Sequence, residues 1–390
     1  MAYRAYYDKQ QLHSVRKDPR GGFNLLDYVM LVVTVIVIVG VGLSWATQWI
    51  NPARYGAMAA LGLVMPLLFA ANFVCLLYWI ISWKKMAFAP LTVLVVFLWG
   101  VGLYFKPALA QSYADSSTDR SLITVMSYNV HGMVKPPETG GPRSFAPTMD
   151  NIIKAVDSLR PAILCMQEFV TTAKYPTQYF ETAIPLLAYN IAHYNAASGE
   201  NTDSGVAIYS RYPIVRSGHL DFAGSTKSTL WADIAVSGDT VRVFNAHLQT
   251  TSITDTDQEF IVNMDFVTDS TRTSKFRQMV GKLRNNFILR ASQADSLALS
   301  IASSPYPVVV CGDFNDPPVS YTYRQISRGL RDSFREAGSG YGYSFRGFFN
   351  LLRIDYVLHS KSIECVEYTS PDLAFSDHNP VVSRLRLHKN

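Results

Sequence analysis

The sequence predicts an α/β domain preceded by three transmembrane α-helices. Two patterns carry this reading. From residue 121 onward, short apolar runs rich in β-branched residues alternate with segments of helical spacing. Before that, residues 28–105 hold three long stretches without a charged side chain. Charge divides the chain at the same place. Residues 1–120 contain 10 basic and 5 acidic side chains, and 121–390 contain 25 of each, so the whole +5 belongs to the N-terminal part.

The first region is a basic cytoplasmic arm, residues 1–27, with Arg4, Lys9, Arg16, Lys17 and Arg20. The membrane region follows at 28–106. Asp27 and Arg54 enclose 26 uncharged residues, Arg54 and Lys84 enclose 29, and Lys85 and Lys106 enclose 20. A bilayer-spanning helix needs about 20 apolar residues. Val29–Val41, Ala57–Ile81 and Leu91–Leu103 therefore each predict a span. Trp45, Trp49, Tyr55, Trp79, Trp83 and Tyr104 lie near the ends, where amphipathic rings favour the headgroup zone. Basic residues stay cytoplasmic. The arm and the Lys84-Lys85 turn then face inward, and three spans place everything after Lys106 outside. In a bacterium this is an inner-membrane protein with a periplasmic or extracellular domain. Residues 107–120 read as a linker, and Ala108-Leu109-Ala110 within it resembles an export-peptidase site.

In the domain at 121–390, Leu122–Tyr128 reads as a strand ending at Asn129, followed by a Pro/Gly-rich loop at 133–148. Met149–Leu159 has helical spacing. Ala162–Met166 is a buried strand ending at Gln167-Glu168. Val206–Tyr209 is a strand, and Leu230–Val236 and Val241–Ala246 are a pair joined at Ser237-Gly238-Asp239. Residues 250–274 read as an insertion or lid, and Phe276–Ser303 as helix. Val308–Cys311, Ile354–Leu358, Ser362–Tyr368 and Val381–Leu387 complete the strands. Cys75, Cys165, Cys311 and Cys365 show no metal or disulfide spacing and read as small buried apolar residues.

Polar groups gather just after these apolar runs. Phosphoester hydrolysis needs charge neutralised on the non-bridging oxygens, an in-line water and help for the leaving oxygen. Magnesium supplies the first through a few carboxylate and amide oxygens. Glu168, emerging at a strand end, suits a principal ligand, and Asn129 has a similar position. Asp313 and Asn315 differ by two, so on an extended chain they point to one side. His378 needs a carboxylate to fix its tautomer and hold its charged form. Asp355 is the better geometric partner, because Asp377 is its neighbour in sequence and neighbours on a strand point apart. Asp377 is then free for the metal side. His247 closes another strand.

Seven blocks in order resemble the endonuclease/exonuclease/phosphatase superfamily of deoxyribonuclease-I-like enzymes. They are Ser127-Tyr128-Asn129-Val130, Gln167-Glu168, Gly205-Val206-Ala207-Ile208-Tyr209-Ser210, Asn245-Ala246-His247-Leu248, Gly312-Asp313-Phe314-Asn315, Arg353-Ile354-Asp355-Tyr356 and Ser376-Asp377-His378. The resemblance implies a four-layer α-β-β-α sandwich with the site at one edge. It implies Asn129, Glu168 and Asp377 at a Mg2+ site, with Mn2+ as the alternative ion. Asp313 and Asn315 would position the nucleophile and a phosphate oxygen, and His378 with Asp355 would serve as general base or phosphate ligand. His247 would stand beside the scissile phosphate. The deoxyribonuclease branch gives that histidine a glutamate partner from an upstream segment, and Tyr189–Tyr194 offers no convincing match.

The expected function is a membrane-tethered, divalent-metal-dependent phosphoester hydrolase acting outside the cytoplasm. Its substrate would be nucleic acid, a lipid headgroup or a small phosphoester. The zero net charge of 121–390 disfavours long nucleic acid. Phe345, Phe348, Phe349, Leu351 and Leu352 form an apolar stretch that suits lipid contact or a core. The alternative is a catalytically inactive binding or scaffold module of the same fold. No protein partner is identifiable.

Overall fold

A computed structural model describes residues 22–107, 121–132, 149–172, 176–197, 202–251, 270–373 and 375–388. The basic arm up to residue 21, the linker with Ala108-Leu109-Ala110, the 133–148 loop and most of the expected 250–274 insertion lie outside those residues. The chain forms two compact units: Met1–Leu43 with Met65–Trp99, and Ser44–Val64 with Gly100–Asn390.

In the first unit, helix α1 (Leu25–Ala46) begins at a reciprocal cap. Asp27 N–H donates to Asn24 Oδ1 at 2.8 Å, and Asn24 N–H donates to Asp27 Oδ2 at 2.9 Å. Past the cap the helix has no charge. Trp79 Nε1–H donates to Thr34 Oγ1 at 2.9 Å, joining α1 to the helix Met65–Ile81. Two helical stretches, Leu25–Trp49 and Pro52–Ile81, are long and apolar enough to cross a membrane. The third expected span is not one long helix. Phe88–Val96 is helical, Phe97 leaves the helix, and only Leu98–Val101 resumes it. Gly100 and Gly102 in that stretch weaken a helix at its C-terminal end.

The second expected span is divided too. Asn51 caps the short helix α2 (Pro52–Ala59), its Oδ1 accepting from Ala53 N–H at 2.8 Å. The helix kinks at Tyr55, and a 3₁₀ turn follows at Ala60–Val64. This part belongs to the second unit. A Cβ on Gly62 would lie 2.4 Å from the Val319 carbonyl oxygen, so only glycine permits the approach. The helix Met65–Ile81, α3, is what remains of the run; Phe88–Val96 is α4.

The rest of the second unit is two six-stranded sheets with helices outside. The strands are β1 (Leu122–Asn129), β2 (Ile163–Thr172), β3 (Tyr189–Ala197), β4 (Thr202–Ser210), β5 (Ile214–Asp221), β6 (Ser228–Val236), β7 (Asp239–His247), β8 (Val308–Asp313), β9 (Leu330–Asp332), β10 (Asp355–Ser360), β11 (Ile363–Thr369) and β12 (Val381–Leu387). One sheet runs β9-β10-β8-β7-β6-β5 and the other β11-β12-β1-β2-β4-β3. Each has one parallel pair at its centre, β7 with β8 and β1 with β2, and antiparallel neighbours elsewhere. Alternation along the strands builds two cores. Val125, Ile163, Val243 and Val309 meet between the sheets. Met126, Leu164 and Met166 turn outward onto Ile152 and Val156 of α5 (Met149–Leu159) and Phe180 of α6 (Thr177–Ala183). The opposite sheet carries α7 (Ser270–Ala302), which starts within the stretch expected as insertion. The result is the expected α/β sandwich. β3, β5 and β9, absent from the sequence reading, are three of its four edge strands; the fourth, β11, was expected.

One polar contact crosses the apolar interior. Gln167 Nε2–H donates to Asn245 Oδ1 at 2.7 Å, and Asn245 Nδ2–H donates to the carbonyls of Met166 and Ala207, both at 2.8 Å. Both side chains are fully buried.

Candidate active site

The C-terminal ends of the two parallel pairs carry the site. β1 ends at Asn129 and β7 at His247. In β2 the ladder slips between Gln167 and Phe169, and Glu168 stands in that bulge with φ +52°. The bulge throws its carboxylate out of the sheet. At the end of β8, Gly312 has φ +140°, and a Cβ there would lie 1.9 Å from the Ala246 carbonyl oxygen. Glycine thus lets β8 close onto β7 where Asp313 must emerge.

A single cavity is lined by Asn129, Glu168, Asp313, Asn315, Asp377 and His378. At its floor, Asp355 Oδ2 lies 2.8 Å from His378 Nδ1. His378 Nε2 is 3.8 Å from Asp313 Oδ2. Asp313 accepts Asn129 Nδ2–H at 3.0 Å and Asn315 N–H at 2.8 Å. Asp313 and the His378 imidazole are buried, and the proton affinity of each is displaced. Burial, then the neighbouring Asp355, push the Asp313 carboxyl up to about 7. Burial alone would depress His378, but Asp355, Asp313 and Asp377 hold its imidazole well above the ordinary range. Asp355 Oδ1 has no hydrogen-bond partner among the described residues.

Asp313 and Asn315 share the cavity for a different reason than strand alternation. β8 stops at Asp313, and Asn315 takes φ +53° in an Asx turn closed by its own N–H. Asn315 Nδ2–H then donates to the Leu248 carbonyl at 3.1 Å. His247 lies behind the cavity. Its Nε2 is 3.7 Å from Glu168 Oε1, has no hydrogen-bond partner among the described residues, and the ring is held neutral by burial, then by Lys227 and His378.

Glu168 and Asp377 face the mouth, with side chains 28% and 27% exposed. Asn129 Oδ1 accepts His131 N–H at 3.1 Å and keeps one lone pair. Two carboxylates and a carboxamide are hard oxygen donors, the set that suits Mg2+ or Mn2+. These donors fit a divalent cation. His131, which sequence reasoning passed over, stands between them, its Nδ1 3.3 Å from Asp377 and 3.7 Å from Glu168. Lys227 Nζ, also missed, is 3.8 Å from Glu168 Oε1. A positive-φ residue past a strand end carries no periodic signal, which is why His131 escaped notice. His193, His219 and Asp221 bring ligand atoms within 4.8 Å of one another on β3 and β5, and none of them lines the cavity.

The cavity's second wall is apolar. Phe345, Phe348, Leu352 and Ile354 line it, together with Leu63 from the segment before α3. Phe348, Phe349 and Asn350 take φ of +49°, +62° and +57°. Left-handed backbone costs a non-glycine residue roughly 1–2 kcal/mol, so this turn is held by its surroundings. Below it, the Arg353 guanidinium donates to both oxygens of Asp332, at 3.2 and 2.8 Å. Burial would raise the Asp332 carboxyl, but Arg353 and further hydrogen bonds leave it below the ordinary range.

The model of the Endonuclease/Exonuclease/phosphatase family matches residues 126–378. A domain of unknown function, DUF8431, matches residues 27–103. No curated protein matches. An endonuclease/exonuclease/phosphatase structure from Beutenbergia cavernae superposes with a TM-score of 0.50 at 17% identity, over 68% of this chain and 72% of that one. Structures of the same description from Bacteroides vulgatus and Bacteroides thetaiotaomicron give 0.48 each, at 16% and 17% identity, over 68% and 69% of this chain and 99% and 98% of theirs. At these identities the structural likeness concerns the fold alone. With a family match across most of its sandwich and the matched segments meeting in one cavity, the chain belongs to the endonuclease/exonuclease/phosphatase family, whose members are generally phosphoester hydrolases.

Proposed function

We propose that the protein is a membrane-tethered, divalent-metal-dependent phosphoester hydrolase with its catalytic domain outside the cytoplasm. The observation that carries the enzymatic part is the meeting of a buried Asp313, Asp355 and His378 cluster with the open carboxylates of Glu168 and Asp377 in one cavity. Support for the tether is the pair of long apolar helical stretches near the N-terminus. Support for the orientation is the positive arm and the Lys84-Lys85 turn, with the uncharged run 86–105 making the third crossing in two shorter helices.

Glu168, Asp377 and Asn129 would hold the cation, which supplies charge neutralisation at the phosphate oxygens when bound. The chain's own groups do the rest. His378, kept protonated by Asp355, donates a hydrogen bond to a non-bridging oxygen. Asp313, with an affinity for protons near neutrality, takes the proton of the attacking water. Asn315 and Asn129 fix that carboxylate, so no reorganisation is needed when the proton moves. Neutral His247 stands near the acids on the leaving-group side.

The test is hydrolysis of a generic chromogenic phosphodiester by the purified full-length chain, with Mg2+ and with chelator. Metal-dependent turnover that disappears in His378→Ala is the expected result. Near-normal turnover in His378→Ala, or none in the native chain with any divalent ion, would overturn the reading.

A further inference from the structure

The cavity has two sources. Its polar wall belongs to the sandwich, whereas Leu63 on the apolar wall comes from residues 44–64, between the first two apolar helices in sequence. That segment is firmly seated on the sandwich unit. Thr47 Oγ1, whose hydrogen serves the Ser44 carbonyl at 2.7 Å, lies 3.4 Å from the Val319 carbonyl, Asn51 Nδ2–H donates to the Tyr321 hydroxyl at 3.1 Å, and the Arg324 guanidinium lies 5.0 Å from the Trp49 ring centre. Gly62 touches the Val319 backbone so closely that no side chain fits. Leu63 then joins Phe287, Leu352 and Ile354 in one buried cluster, with Phe345 and Phe348 packed against it.

This apolar surface reaches the chemistry. The Phe345 ring centre is 5.1 Å from that of His378. Beyond Phe348, the Phe349 side chain is left 64% exposed on the strained left-handed turn. Leu63 also lies only two residues before Met65, where α3 begins. Chain connectivity alone therefore ties the apolar wall to the 17-residue apolar helix α3, the last part of the stretch Pro52–Ile81. A nucleic-acid site would place basic side chains beside the phosphate. Here Lys227 stands 3.8 Å from Glu168, but the cavity lining holds no Lys or Arg among the described residues, its flank is hydrocarbon, and the domain from 121 onward has no net charge.

We infer that residues 44–64 complete the active site, and that Leu63, Phe345 and Phe348 form a subsite for the hydrocarbon part of an amphiphilic phosphoester, a membrane lipid with its phosphate in the acidic pocket. This rests on the phosphoesterase reading above and adds to it the substrate class and the segment that selects it. Residues of the N-terminal region thereby become specificity-determining residues of the catalytic domain.

The test uses the full-length chain in nanodiscs with Mg2+ and 4-nitrophenyl phosphodiesters whose second substituent is methyl or hexyl. A dithymidine phosphodiester serves as the nucleic-acid arm. One buried methylene is worth about fourfold, so five more carbons, even partly buried, give the hexyl ester at least about a 30-fold advantage in kcat/KM. Leu63→Ser and Phe348→Ser should each reduce the hexyl-to-methyl ratio at least about fivefold. The ratio is internal to each preparation, so a loss of folded protein does not alter it. Equal efficiency on both esters, a faster rate on the dinucleotide, or a ratio unchanged in both variants would overturn the inference while leaving the phosphoesterase reading intact. If no ester is hydrolysed, that reading falls. Titration with methyl- and hexylphosphonate then decides the subsite by itself: tighter hexyl binding lost in Leu63→Ser supports it, and equal binding overturns it.

Discussion

Asp355 Oδ2 and His378 Nδ1 meet at 2.8 Å across 23 residues of sequence, inside a site where neither side chain has appreciable contact with water. A carboxylate so placed does two things. It fixes which ring nitrogen faces the cavity, and it offsets the burial that would otherwise strip the imidazole of its proton. Asp355→Asn should remove the second effect. The expected outcome is a His378 pKa shifted downward in an NMR titration, with turnover reduced by about 10²-fold or more. Unchanged titration in the variant would show that the pair does not control the ring.

Asp313 Oδ2 lies 3.8 Å from the other ring nitrogen, His378 Nε2. Asp313→Ala and Glu168→Ala are each expected to lower turnover by about 10²–10⁴-fold while the domain stays folded. Circular dichroism melts alongside single-turnover assays separate lost chemistry from lost structure. Activity within tenfold of the native chain in either variant contradicts the assignment.

Glu168 and Asp377 should set the metal requirement. Glu168→Gln and Asp377→Asn are expected to raise the Mg2+ concentration for half-maximal activity by about 10-fold or more. His193→Ala, remote from the cavity, should leave it unchanged. Titrating activity with Mg2+ after chelator treatment measures all three.

The buried Asp332–Arg353 pair gives a pH dependence of stability. The folded-state Asp332 carboxyl is depressed. Its stabilisation is therefore complete above the unfolded carboxylate pKa of about 4 and is lost as pH falls through the lower folded value. Asp332→Asn should destabilise the domain by about 3–5 kcal/mol at neutral pH, and the gap from the native chain should shrink in acid. Urea unfolding at neutral pH and near pH 3 reads the difference, and a gap that widens in acid refutes the sign.

Gly312→Ala should damage the fold and not only the activity. The added methyl meets the Ala246 carbonyl at 1.9 Å, on a backbone already at φ +140°. A loss of at least about 2 kcal/mol is expected. An unaltered melting temperature would mean that β7 and β8 can part more easily than their pairing suggests.

How far these features were legible in the sequence varied with the physics behind each. The central strands were readable because both faces are buried, so their apolar runs are continuous. Edge strands β3 and β5 were not. β5 holds only half-buried and exposed positions, without regular alternation, leaving composition without a signal. The pairing of His378 with Asp355 was read from strand alternation and does form, although Asp377 and His378 lie before β12 begins at Val381. The same alternation brought Asp313 and Asn315 to the right neighbourhood by the wrong geometry, since the strand had already ended. Uncharged length alone suggested three spans, and it ignored Gly100 and Gly102 near the end of the third run. It also ignored the possibility that part of an apolar run can be buried against protein instead of lipid, as Gly62 and Leu63 are.

The buried amide pair Gln167 and Asn245 bears on how such a site stays assembled. Glu168 is carried by one sheet and His247 with Asp313 by the other, and greasy surfaces facing each other can slide by fractions of an ångström at little cost. An amide hydrogen bond cannot slide: it is made at one offset and broken at others, with no water nearby to replace it. Gln167 immediately precedes Glu168, and Asn245 is two residues before His247. The pair acts as an alignment pin next to the chemistry, holding two independently built halves at one mutual setting.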